Sequence, residues 1–213
     1  MTVEAKICGL VRPEDARYAD EAGADYLGVV FAPGPRRRDE QQARRIWRNT
    51  EAKRVGVFVD ASEEQVVKLA HDVGLSAVQL HGSEGRDYCR RVGDAGEWAV
   101  WKAVRIGGST PLESALERYA AVVDGILLEG FSRRGHGGVG ARFDWSLASE
   151  VRGVWPQGVC LILAGGLNPG NVAEAIERFR PNVVDVSSGV ETAPAVKSRD
   201  ALRAFVRVVK GSG

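Results

Sequence analysis

The chain has 213 residues, 44% hydrophobic and 27% charged, which fits one globular domain or a small barrel at the short end of its class. A net charge of +1 provides no field that would favour nucleic acid or an anionic membrane. Three cysteines, Cys8, Cys89 and Cys160, are odd in number and far apart, which argues against a disulfide framework. The start MTVEAKICGL lacks the apolar core of a signal peptide, and no apolar run approaches the ~20 residues of a membrane span, so a soluble cytoplasmic protein is expected.

Eight short apolar, β-branched runs follow one another: 5–10, 26–31, 54–59, 77–82, 100–106, 125–130, 159–166 and 183–189. Helical patterns lie between them. One opens at Pro13 and closes at Gly23; another starts at Ser62, a good N-cap, and ends at Gly74. NPGNVAEAIERF and SRDALRAFVRVVK follow the last two strands with apolar residues at helical spacing. Strands alternating with helices imply a parallel sheet, and eight is the number that closes a (β/α)8 TIM barrel. An open doubly wound sheet is the competing arrangement, but no G-x-G-x-x-G follows the first strand. No linker or low-complexity segment divides the chain, so residues 1–213 are expected to form a single barrel domain.

Barrel enzymes carry their chemistry at the C-terminal strand ends. Those ends hold Cys8, Phe31, His81, Arg105, Glu129, Gly165, Gly166, Ser187, Ser188 and Gly189. Cys8 reads either as a small buried core residue or as a functional thiol; a lone histidine such as His81 is more often structural. Glu129 ends an otherwise apolar strand, where a carboxylate is costly unless paired or facing a wet cavity. Asp185 in VDVSSGV obeys the same logic, or anchors a loop. Gly165-Gly166 and Ser188-Gly189 form two glycine turns after the last two strands, the usual phosphate cradle of a barrel. The long glycine-rich loop 130–145, with Gly137 and Gly138, reads as a lid over the mouth.

Six motifs in order, K-I-C-G from Lys6, V-Q-L-H-G from Val78, K-A-V-R from Lys102, the G-G-x-G…F-D-W run from Gly137 to Trp145, A-G-G-L-N-P-G-N-V from Ala164 and V-D-V-S-S-G-V-E from Val184, run through nearly the whole chain. In these the chain resembles the phosphoribosylanthranilate isomerases of tryptophan biosynthesis. The resemblance implies an Amadori rearrangement of a phosphorylated aminoaldose to an aminoketose, with no metal and no organic cofactor. It implies Cys8 as the base and the residue after Leu127-Leu128 as the acid. Lys6, two residues before Cys8 on the same strand face, would favour the thiolate. His81 and Asp185 match substrate-site positions, and Gly165, Gly166, Ser188 and Gly189 would hold the phosphate with Gly137 and Gly138 closing over it.

The chain departs from the family pattern at two places. The acid position carries Glu129 where the family has aspartate, and the extra methylene shifts the carboxyl by about 1 Å, a displacement that can cost ~10²-fold in rate. Counting from Phe31 puts the anthranilate-binding arginine at Arg37, with Pro35 in place of the family serine and with Arg36 and Arg38 leaving a shift by one open. A related phosphosugar barrel with a drifted substrate, or one that has lost activity through Glu129, is the alternative. An aldolase-type barrel needs a lysine at the rim, whereas Lys102 is followed by Ala-Val-Arg and lies below it. A single barrel suffices for such a substrate, as monomer or homodimer.

Overall fold

A computed structural model describes residues 2–106, 111–130 and 147–211. Eight strands are parallel and close on themselves: β1 (Glu4–Ile7), β2 (Tyr26–Val30), β3 (Lys53–Phe58), β4 (Ala77–Leu80), β5 (Ala99–Ile106), β6 (Gly125–Gly130), β7 (Cys160–Ala164) and β8 (Val183–Val186). Each is followed by a helix: α1 (Pro13–Glu21), α2 (Glu40–Ile46), α3 (Glu63–Val73), α4 (Arg86–Asp94), α5 (Leu112–Tyr119), α6 (Ala148–Val154), α7 (Val172–Phe179) and α8 (Arg199–Gly211). The expected TIM barrel is therefore the observed fold. Between β8 and α8 the chain adds a 3-10 turn (Ser188–Val190) and a small hairpin of β9 (Glu191–Ala193) and β10 (Val196–Lys197), which the sequence reading did not foresee.

Local chemistry sets the helix ends. Ser62 accepts from the Gln65 amide while the Gln65 side chain reaches back to Ser62, and Gly74 ends α3 at φ +64. Asp39 and Gln42 form the same reciprocal cap on α2. Among the described residues no helix is long and apolar enough to cross a membrane.

Strand alternation then decides what faces the barrel axis. Ile7, Leu27, Val29, Leu80, Leu128 and Val186 point outward into the layer shared with the helices. Tyr26, Val55, Ala77, Trp101, Leu127, Ile162 and Val183 form a separate cluster inside the barrel. The floor is polar: the Tyr26 hydroxyl donates to Glu4 at 3.0 Å, and Lys53 Nζ reaches the same carboxylate at 3.1 Å. Carried upward, the inward parity brings Cys8, His81, Arg105, Glu129 and Asp185 to the C-terminal rim.

Candidate active site

On one side of the rim stands Cys8, just past β1, its amide donating to Val186 O at 2.8 Å. Gly28 makes room for it, since a Cβ there would lie 3.0 Å from Cys8 Sγ. Beneath the thiol, Lys6 and Asp185 are register partners across β1 and β8, and Lys6 Nζ lies 2.9 Å from Asp185 Oδ1. Charge carries that contact: neither atom has a well-formed hydrogen bond among the described residues. Burial disfavours the Lys6 ammonium, but the attraction of Asp185 and Cys8 outweighs it and raises the lysine pKa. Cys8 goes the other way. Burial pushes its thiol up, and Lys6 and Lys197 recover only part of that. Lys6 favours the thiolate, as its place on the same strand face implied, but the opposing effect of desolvation is larger.

Across the barrel, Arg105 and Glu129 are neighbours in the β5–β6 register. Glu129 Oε2 is met by His81 Nε2 at 3.3 Å and by Arg105 Nε at 3.3 Å. The His81 contact is the main cause that lowers the Glu129 pKa, against the opposing effect of burial, with Arg105 adding to it. The other His81 nitrogen, Nδ1, lies 2.9 Å from Gln79 Nε2. Gln79 escaped the sequence reading, although its place two residues before His81 puts it on the same face. Behind this turn Lys102 is fully engaged: its ammonium donates to Leu80 O, Gly82 O, Ala103 O and Glu84. It holds the His81 turn and is not a free amine.

The two glycine turns adjoin. Gly165 and Gly166 have φ of +102 and +65, and a Cβ on Gly189 would fall 1.8 Å from Leu167 O, so only glycine lets the second turn pack on the first. Ser188 and Gly189 open a 3-10 turn, whose leading N–H groups have no partner within it. Lys197 Nζ donates to Ser187 O at 3.0 Å, and because the peptide is trans the Ser188 N–H points the opposite way. Gly137 and Gly138 lie outside the described residues.

The arginines after β2 diverge. Arg36 turns toward the Cys8 side: its Cδ and the Ser187 hydroxyl both crowd Gly9, and its guanidinium pairs with Glu191 at 2.8 Å. Glu191 also takes Lys197 at 2.9 Å, so one carboxylate joins the β2 loop to the β8 turn. Arg37 is exposed and lines a cavity of about 290 Å³ with Phe31, Pro33, Phe58 and Gln65. Phe31 is stacked on Phe58 with ring centroids 5.2 Å apart, as a wall of that cavity. Glu191 closes the V-D-V-S-S-G-V-E motif, but its role and that of Lys197 were not legible in sequence, because Arg36 is distant in the chain.

A closed parallel barrel whose C-terminal rim carries a buried thiol, a carboxylate–histidine pair and two adjoining glycine turns defines an acid–base enzyme of the (β/α)8 class. The sequence matches, over residues 5–208, the family described as N-(5'phosphoribosyl)anthranilate (PRA) isomerase, and the chain belongs to that family. It is similar to the N-(5'-phosphoribosyl)anthranilate isomerase of Trichlorobacter lovleyi, 42% identical over 98% of both chains. The solved phosphoribosyl anthranilate isomerase of Thermotoga maritima shares 41% identity with a TM-score of 0.88, covering 99% of this chain and 100% of its own. A further structure, of the isomerase in complex with reduced 1-(o-carboxyphenylamino)-1-deoxyribulose 5-phosphate, shares 39% identity with a TM-score of 0.84 over 99% and 100%.

Proposed function

We propose that this chain, as one barrel domain, isomerises N-(5'-phosphoribosyl)anthranilate to 1-(o-carboxyphenylamino)-1-deoxyribulose 5-phosphate, a step of tryptophan biosynthesis. The observation that carries the reading is the opposition of Cys8 and the Glu129–His81 pair across one barrel rim, beside two glycine turns. Protonated Glu129 gives its proton to the ribose ring oxygen as the C1–O bond breaks and the nitrogen lone pair forms a C1=N Schiff base. The Cys8 thiolate takes the C2 proton, and those electrons form the C1=C2 enolamine. Transfer of the enol proton then yields the ketone with C1 protonated. Amides of Gly165, Gly166, Ser188 and Gly189 hold the phosphate. Asp185 keeps Lys6 in place under the thiol. His81 contacts the acid, and Arg37, with the aromatic wall of its cavity, suits the anthranilate carboxylate and ring.

Glutamate at position 129 keeps its carboxyl on the inward face of the rim beside His81 and Arg105, whose contacts lower its pKa, so the step draws on its protonated form. The test is the loss of phosphoribosylanthranilate fluorescence on adding enzyme, together with rescue of a tryptophan auxotroph. Glu129→Gln is expected to lower kcat by roughly 10²–10³-fold, within the range for a general acid, and Glu129→Asp to remain within about tenfold of the parent. If neither changes kcat, Glu129 is not the acid.

A further inference from the structure

A carboxylate can only accept hydrogen bonds, which decides how His81 is protonated. Its Nε2 faces Glu129 Oε2, so beside an ionised Glu129 a neutral His81 carries its ring proton on Nε2 and leaves Nδ1 bare. The group against Nδ1 must then be a donor, and Gln79 supplies its amide N–H there at 2.9 Å. Gln79 is 1% exposed, and its carbonyl oxygen Oε1 is buried with no donor among the described residues. A buried acceptor left unpaired is costly and needs a reason.

Rotation of the amide supplies one. Turning it by 180° brings Oε1 to the place of Nε2, where it accepts a proton carried by Nδ1. One side chain thus supports His81 with Nδ1 bare and His81 with Nδ1 protonated. In the second case the pair with Glu129 holds one extra proton: on the imidazolium, or on the Glu129 carboxyl after the Nε2 proton has crossed.

We propose that the Glu129–His81 pair, rather than Glu129 alone, stores the proton delivered to the ring oxygen, and that Gln79 is the positioning residue whose amide supports both states. This rests on the reading of Glu129 as the acid. The pair takes one proton from solvent in each cycle and gives one to the substrate; the proton Cys8 takes from C2 returns to solvent. Other charges facing His81 and its turn are Arg105 from β5 on the same Glu129 oxygen, Asp60 from the turn after β3 bound to Ser83, and the Lys102–Glu84 pair behind. Arg105 is tied to Glu129 itself, and Lys102 to Glu84.

The first experiment uses the unaltered protein. A long-range 1H–15N correlation spectrum of the His81 ring, recorded where histidine is neutral, is expected to show Nε2 protonated and Nδ1 bare. The reverse tautomer overturns the proposal, whatever the variants do. The second experiment compares pH profiles of kcat. Gln79→Glu offers only acceptors and holds Nδ1–H, so the limb on which the pair loses its proton should move up by about one pH unit. Gln79→Met offers neither donor nor acceptor, and kcat should fall about tenfold with KM within about twofold. A Gln79→Glu profile that superimposes on the parent, or KM and kcat effects with no displaced limb, overturns the proposal. Glu129→Gln separates the two failures: parental kcat in that variant sinks the acid assignment itself. Loss of kcat there with an undisplaced Gln79→Glu limb sinks only the role of Gln79.

Discussion

The two halves of the rim solve the same problem in opposite ways. Around β1 and β8 the reactive group is sealed: Cys8 is buried, stands over a fully buried Lys6, and is held as a thiol because desolvation exceeds the pull of two ammonium groups. Around β4 to β6 the group is half open: Glu129 meets His81 and an exposed Arg105 and is held as a carboxylate. The proposed base is therefore kept protonated and the proposed acid deprotonated, each the reverse of what its step requires. On the proposed assignment each step draws on the less favoured protonation form, and the neighbours of the two residues set that preference.

Replacing Cys8 tests the sealed side most severely. Cys8→Ser should lower kcat roughly 10³-fold, within the span for a general base, with a smaller change in KM; near-parental kcat would remove the thiol from the mechanism. Next in size is the charge beneath it. Asp185→Asn leaves the Lys6 ammonium buried without its counter-ion, and breaking such a pair costs about 3–5 kcal/mol, measured as a lower urea midpoint. Parental stability in that variant would mean that the pair is not what tolerates a buried lysine. The open side yields the smallest effect. Glu129 has a depressed pKa in the folded protein, so its contribution to stability is present above the ordinary value of 4.5 and is lost as pH falls through the folded value. Glu129→Gln should flatten the decline of stability below about pH 4.5, and an unchanged slope would mean that His81 and Arg105 do not stabilise the carboxylate.

Period and punctuation made most of the barrel legible. Ser62, Gln65 and Gly74 mark α3 by cap chemistry that acts within a few residues, so the ends of that helix could be read directly. Cys8, His81, Glu129 and Asp185 were legible as rim residues because strand parity is a local property. The β9–β10 hairpin was not, since three- and two-residue strands carry no periodic signal. Its Lys197 becomes important only through Ser187 and Glu191, and Glu191 only through Arg36 as well.

The sequence by itself determined the eight-fold alternation of strand and helix, the glycine turns after β7 and β8, and the identity of the side chains at the strand ends. Each of these follows from spacing along the chain. Tertiary structure decided that Arg36 is tied to Glu191 while Arg37 faces an aromatic cavity, that Gln79 backs His81, and that burial raises the Cys8 pKa while His81 and Arg105 lower that of Glu129. Protonation depends on burial and on charges close in space, and the closure of β8 onto β1 brings those together from opposite ends of the chain.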